Sequence, residues 1–387
     1  GKSLRKHHPE VKFHLMFSDE LPEWFDIDKE PFDSVILIKD LGIDSWRSWV
    51  FKHDVVELCT AVKPFALLHI INTTDATKVF YFDPDCVIFN RFDDMIDDLD
   101  KYSGILTPHV CKPETIESAI IDNEMSCLRH GINNLGFLAI NSTGQGKEMA
   151  EWWACRLEKY CYDDIPRGLF TDQRWMDFAH VYFDEVKTER GSQYNVATWN
   201  YTTRVISGDM SAGVKVDGIP ICFHHFSGFT NGAAEMMQGR YADGLQVIDE
   251  LYAWYRKECE DAGQKELQDA IWAYGKYDNG MPVKREHRIL YREKPDLQAA
   301  FPEPFMYSED DAPSKSYYAW ILNNEDRFYT ASQPVPFSVF LRNTEYSLCT
   351  YISKTHKLGR LSKKILNKLI GGVFYVFRKV ASFLKAS

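Results

Sequence analysis

Two periods of apolar and polar positions run along the chain. Residues 78–89 (Lys-Val-Phe-Tyr-Phe-Asp-Pro-Asp-Cys-Val-Ile-Phe) are two short apolar runs split by Asp83-Pro84-Asp85. Runs of Val, Phe, Tyr and Ile bounded by polar residues predict buried strands. Comparable runs predict strands at 12–17, 34–38, 103–108, 134–141, 181–187 and 219–225. Helices are predicted at 57–72, with Pro64 as a kink or a first-turn residue, at 93–102, and at 146–160 around Trp152 and Trp153. Residues 1–8 read as the end of a helix stopped by Pro9. Helix dominates 233–272. Residues 274–336, rich in Pro, Asn, Asp and aromatics, read as loops with short helices.

Strands alternating with helices predict an α/β fold, a mixed sheet flanked by helices with a helical C-terminal extension. Such sheets bind ligands at the carboxyl ends of their strands, and Asp83 and Asp85 fall at such an end. Two carboxylates there are costly unless something binds them. A hard divalent cation such as Mn²⁺ or Mg²⁺, carrying the phosphate oxygens of a ligand, would do so. The plainer reading is a turn after a strand, because Asp-Pro-Asp is good turn chemistry and Asp-x-Asp is a short, common pattern.

Composition narrows the picture little. Of the 387 residues, 45% are hydrophobic and 26% charged, which is ordinary for a globular protein. A net charge of −11 argues against a nucleic-acid partner. The nine cysteines form no Cys-x-x-Cys pair. Their odd count and irregular spacing point to reduced thiols in a cytosolic compartment. No signal peptide and no apolar run of bilayer-spanning length is read from the sequence.

Charge is distributed unevenly. Residues 354–387 carry nine Lys or Arg and no acid, so the rest is more acidic than the whole. Leu361, Ile365, Leu369, Val373, Phe377, Val380 and Leu384 recur every three or four residues, with the basic side chains mostly between them. This predicts a basic amphipathic helix, bent at Gly371-Gly372, on an anionic membrane surface. The alternative is a helix docked on the acidic body of the same protein.

Five separated segments resemble, in order, the motifs of GT-A glycosyltransferases, most closely those of retaining family 8. They are the DxD strand at 78–89; the Asn-x-Gly strand at 133–141, with Asn134 and Gly136; Thr171-Asp172-Gln173; the loop of Tyr194-Asn195 and Trp199-Asn200; and His224-His225-Phe226-Ser227-Gly228. A later stretch, 277–305, is less specifically similar to bacterial polysaccharide glycosyltransferases.

The resemblance implies roles. Asp83, Asp85 and His225 would hold the metal, Asp83 also approaching the donor ribose. Lys63 and Gly136 would lie on the donor side. Asn134, Asp172 and Gln173 would line the catalytic and acceptor side. No protein base is then required, because in a front-face mechanism the leaving phosphate accepts the acceptor proton, and the site mainly positions and polarises. Each residue also has an ordinary reading: His225 as a core histidine, Lys63 as a solvated helical lysine, Asp172 as a helix N-cap. Trp199 could stack on a sugar ring or fill core, with core favoured, and His224, next to His225 on a strand, reads as structural.

Two features depart from the family. Its Lys-Pro-Trp after His-x-x-Gly is replaced by Phe229-Thr230-Asn231-Gly232. Its first strand, which contacts the nucleotide base, would precede residue 1; the chain is then a fragment, or builds its nucleotide pocket differently.

The expected organisation is a catalytic domain at 1–230, a packed extension at 231–345 and the basic tail at 346–387. The expected function is metal-dependent, retaining transfer of a sugar from a nucleotide donor, a UDP-sugar first, to a glycan or lipid-linked glycan. The setting would be bacterial surface polysaccharide synthesis on the cytoplasmic face of the membrane. Two other readings compete. A haloacid dehalogenase-type phosphohydrolase would use Asp83 as nucleophile, and a noncatalytic glycan-binding member of the same fold would do no chemistry.

Overall fold

The computed structural model describes residues 1–267, 270–307 and 315–331. The chain divides into two compact units. The first is Gly1–Asp311 with Lys315–Tyr318. The second comprises Ala312–Ser314 and Ala319–Ser387, and its described part is the helical run to Ala331. The basic tail and the boundary expected at 345 lie outside the described residues.

The strands of the first unit are β1 His14–Phe17, β2 Ser34–Leu37, β3 Lys78–Phe82, β4 Cys86–Ile88, β5 Gly104–Pro108 and β6 Asn133–Asn141. They continue as β7 Asp163–Asp164, β8 Leu169–Phe170, β9 Val186–Thr188, β10 Ile206–Asp209, β11 Gly213–Val216, β12 Ile219–Pro220 and β13 Phe223–His225. The largest sheet has the order β3-β6-β5-β9, antiparallel except for the parallel β5–β9 pair. β1 and β2 pair in parallel, β4 pairs antiparallel with β13, and β10-β11-β12 form a meander. The protein is thus α/β, with mixed sheets flanked by helices, as its alternating pattern predicts.

β6 is central in the large sheet and buried from Asn133 to Ile140. A strand covered on both faces needs no polar alternation, so its two asparagines call for another explanation. Phe82, Phe137 and Phe223 lie with ring centroids 5.1–5.3 Å apart beneath the ends of β3, β6 and β13. Phe92 joins them from the turn before the helix Asp93–Asp98. Truncating a fully buried ring such as Phe137 costs about 3–5 kcal/mol.

The helix predicted at 57–72 is two helices, Val55–Ala61 and Lys63–Thr73, with Pro64 in the first turn of the second. Asp54 and Glu57 form a reciprocal capping box that starts the first. By length and composition Val55–Thr73 is long and apolar enough to cross a membrane, which the sequence reading did not anticipate. It packs instead on the helix Gly144–Tyr160 and carries buried Lys63 at its centre.

The strand predicted at 181–187 is only β9, preceded by the helix Ala179–Tyr182. Short apolar runs do not distinguish the two states, and the ladder to β5 starts only at Val186. The strand predicted at 219–225 is split, because Ile221 and Cys222 donate their backbone N–H groups to Val214 and Gln193. Residues 270–307 belong to the first unit. Tyr277, Tyr291 and Phe305 surround Phe51 in the core, and Arg292 pairs with buried Glu57 at 3.2 Å.

Candidate active site

β3 ends at Phe82 and β4 begins at Cys86, so Asp83-Pro84-Asp85 is the turn between them. The turn is tied on both sides. The Asp83 N–H donates to the Gly136 carbonyl at 2.8 Å, and the Phe226 N–H donates to the Asp85 carbonyl at 2.9 Å. In the β4–β13 ladder His225 lies opposite Cys86, and directly opposed residues of an antiparallel pair share a face. Asp85, Cys86 and His225 therefore each present one ligand atom, all within 4.8 Å of one another. His225 Nε2 lies 3.0 Å from Asp85 Oδ1 and 3.9 Å from Asp83 Oδ2.

The tautomer of His225 follows from its other nitrogen. Nδ1 lies 3.1 Å from Asn134 Oδ1. That oxygen also accepts from the Gly136 N–H at 3.3 Å and from Asn195 Nδ2 at 3.0 Å. Asn134 Nδ2 is spent on His109 Nε2 at 3.3 Å. This set of partners fixes the amide orientation, so Nδ1 carries the proton and donates. With Nδ1 committed to Asn134, Nε2 is the ring nitrogen that faces the two carboxylates. Asp85 Oδ1 is itself a buried atom that meets only this ring nitrogen among the described polar groups. Lone pairs facing one another in a buried site are costly unless a cation or a second proton lies among them. Orientation of a histidine ligand through its far nitrogen is the usual support of a metal site. Asp85 and His225 thus fit a divalent cation, with Asp83 in reach.

Gly136 is what lets His225 occupy this position. A Cβ there would fall 2.3 Å from His225 Cε1 and 2.9 Å from Asn134 Oδ1. The glycine read as a donor-side residue is buried under the imidazole.

Lys63 is buried, with 4% of its side chain exposed. Its ammonium lies 3.0 Å from Asp172 Oδ2 and 3.2 Å from Asp83 Oδ1, and donates to the Leu135 carbonyl at 2.9 Å. It also sits over the Tyr81 ring, and the Tyr81 hydroxyl donates to Asp83 Oδ1 at 2.6 Å. Burial pulls the lysine pKa down, but Asp172 and Asp83 more than offset this and raise it. Burial pushes Asp83 up, and Lys63, then His225 and the Tyr81 hydrogen bond, outweigh it, so Asp83 is held below its ordinary value. Asp172 is raised, because burial outweighs the pull of Lys63.

The reading of Asp172 as an N-cap is not realised. Gln173 precedes the short helix Arg174–Phe178, and no side chain caps it. Thr171, at φ +44°, donates its hydroxyl to Asp172 Oδ1 at 3.1 Å and turns the carboxylate toward Lys63. Gln173 is spent on backbone: its Oε1 accepts from the Leu135 N–H at 3.2 Å, and its Nε2 donates to the His130 carbonyl at 3.0 Å. Trp199 is half-buried rather than core, edge-on to His225 and His109 with centroids 5.3 and 5.2 Å away. His224 is fully buried, 2.7 Å from the Tyr201 hydroxyl, and burial drives its pKa far down.

Sequence reasoning missed three members of the site. His109 follows the strand end at Pro108, a position that could have drawn notice. Burial holds its pKa near 4, so it stays neutral and accepts from Asn134. Tyr81 and Cys86 carry no signal beyond adjacency to the two aspartates. The Cys86 thiol is pushed up by burial, then by Asp83 and Asp85.

No protein-family model matches the chain. Two uncharacterised proteins of Bacillus subtilis (strain 168) are similar to it. YfnF is 27% identical over 204 residues, covering 51% of this chain and 66% of that protein. YfnD is 27% identical over 177 residues, covering 45% and 54%. The chain thus matches less than two thirds of the length of either relative. A solved structure of the galactosyltransferase LgtC, in complex with donor and acceptor sugar analogs, resembles 62% of this chain and 87% of its own, at 15% identity and a TM-score of 0.39.

Proposed function

We propose that the chain is a metal-dependent GT-A glycosyltransferase that moves a sugar from a nucleoside-diphosphate donor, a UDP-sugar first, to a glycan or lipid-linked glycan. The observation that carries this reading is the convergence of His225 Nε2, Asp85 and Asp83 at the end of β3, with Nδ1 of the same ring held by Asn134. Asp85 and His225 would hold Mn²⁺ or Mg²⁺, with Asp83 beside them. Bound there, the ion would supply positive charge against the diphosphate that departs.

The protein's own part is positioning. Lys63 holds the carboxylates of Asp83 and Asp172 at fixed places. Asn134 orients His225, and Gln173 pins the backbone of β6 at Leu135. Asp172, its carboxyl raised by burial, is held between the Lys63 ammonium and the Thr171 hydroxyl. No histidine, lysine or acid is needed as a base if the leaving phosphate takes the acceptor proton. Retention of configuration rests on the resemblance to family 8 alone. Placement on the cytoplasmic face of a bacterial membrane, in surface polysaccharide synthesis, rests on the reduced cysteines and the basic tail of the sequence.

The test is release of nucleoside diphosphate from a panel of nucleotide sugars with Mn²⁺. Metal-dependent release that is lost in Asp85→Asn supports the reading. Covalent phosphorylation of Asp83 by a phosphoester would replace it with the phosphohydrolase.

A further inference from the structure

Cys86 follows Asp85 in the chain and pairs with His225 across the β4–β13 ladder, and the proposed transfer assigns it no role. Its Sγ is a member of the group whose ligand atoms lie within 4.8 Å of one another. The β4–β13 register explains why: Cys86 is the direct partner of His225, so sulfur and imidazole share a face. The thiol meets the Asp83 backbone and, at 3.7 Å, the Gly136 carbonyl, and thiol hydrogen bonds are weak ones to give up. Carboxylate, imidazole and thiol together are a mixed oxygen, nitrogen and sulfur set. Such a set does not suit hard cations such as Mn²⁺ or Mg²⁺ best; soft sulfur selects thiophilic ions.

Resting on the metal site proposed above, we propose that Asp85, Cys86 and His225 form a three-donor site for a thiophilic divalent cation of the Zn²⁺ class. Three protein ligands and one open position are the pattern of a zinc ion that still receives a substrate oxygen. Tetrahedral bonds of roughly 2.0–2.3 Å set donors about 3.3–3.8 Å apart, so the widest-spaced donors, within 4.8 Å now, close in by up to about 1.5 Å while Asp85 Oδ1 and His225 Nε2, 3.0 Å apart, open slightly. The absence of a Cβ at Gly136 leaves the imidazole its place during that closure. Binding breaks the S–H bond, forms a metal–sulfur bond and releases one proton to solvent. No oxidant or reductant is involved. Zn²⁺ therefore competes with Mn²⁺ for one place and leaves fewer positions for the diphosphate.

The test uses Co²⁺ as a spectroscopic stand-in for Zn²⁺ on the purified chain, compared with Cys86→Ser, Cys86→Ala and Asp85→Asn. The expected result is a thiolate-to-cobalt charge-transfer band in the near ultraviolet, saturating at one equivalent and displaced by Zn²⁺. Both Cys86 variants lose the band, and their Zn²⁺ affinity falls by at least the roughly 10–100-fold cost of losing an outer-shell partner. A band that survives in both Cys86 variants overturns the proposal, because another cysteine then supplies the sulfur. So does the lack of any band in the wild type when Mn²⁺ still binds and Asp85→Asn abolishes that binding; the glycosyltransferase reading survives that result. Binding of no cation at all overturns both.

Discussion

Gly136 and His225 occupy one another's space: a Cβ on the first would lie 2.3 Å from a ring carbon of the second. The contact joins the middle of the central strand to the last strand before the extension. It makes a residue without a side chain as decisive for the proposed metal site as its proposed ligands.

Gly136→Ala forces His225 off Asn134 or shifts β6 away from the Asp83 N–H. Overpacking of this kind costs about 1–3 kcal/mol. The expected outcome is a modest fall in urea-unfolding stability and a much larger loss of Mn²⁺ affinity by calorimetry. Unchanged Mn²⁺ affinity would mean that the ring is not held by this contact.

Lys63→Met leaves Asp83 and Asp172 without their shared cation in a buried site. Removing one partner of a buried pair costs about 3–5 kcal/mol. Adding Asp172→Leu to Lys63→Met should recover part of that loss, because one stranded charge is gone. The two changes should then be strongly non-additive in a double-mutant cycle. Simple additivity would show that the three groups are not one network.

His53 is fully buried, with Nδ1 2.8 Å from the Trp49 carbonyl, and burial pushes its pKa down to about 3 from 6.5. The unfolded chain therefore binds a proton there before the folded one does. Stability present above pH 6.5 is lost as pH falls through this window toward 3, by up to a few kcal/mol. His53→Gln should flatten that limb of the stability profile measured by urea unfolding. An unchanged slope would assign the acid sensitivity to other groups.

Much of the site was legible because its residues sit at strand ends. Asp83, Asp85, Asn134, Gly136, Asp172, Gln173 and His225 come together as the motif order suggested, and Lys63 reaches them from the preceding helix. What the sequence did not carry is how each is spent. Gln173 looked like a substrate contact, yet both ends of its amide go to backbone. Lys63 read as a donor-side or a solvated lysine, and its ammonium is shared among two carboxylates and a carbonyl. Trp199 looked like core, because nothing local says that it stands beside His225. His109 and Cys86 were missed for the same reason: pairing across β4 and β13, and through Asn134, is set by register and not by spacing. The helix end within 181–187 and the split of the strand at 219–225 were likewise beyond a pattern of apolar runs.

The basic tail gives a prediction from sequence alone. Deleting residues 357–387 should abolish binding to vesicles containing anionic lipid and leave binding to neutral vesicles unaffected, as measured by co-sedimentation. Full retention of binding would remove the tail from any role at a membrane.

The most direct measurement for the whole account is a thermal-shift panel of nucleoside diphosphates and nucleotide sugars with Mn²⁺, with Mg²⁺ and with chelator, run on the wild type, Asp85→Asn and His225→Ala. A ligand that binds only the native state raises its apparent stability by mass action. The account predicts a stabilisation by at least one nucleotide that requires the cation and disappears in both variants. Stabilisation that persists in chelator, or in both variants, would contradict a metal-held diphosphate, and no shift with any nucleotide would leave the fold without a donor site.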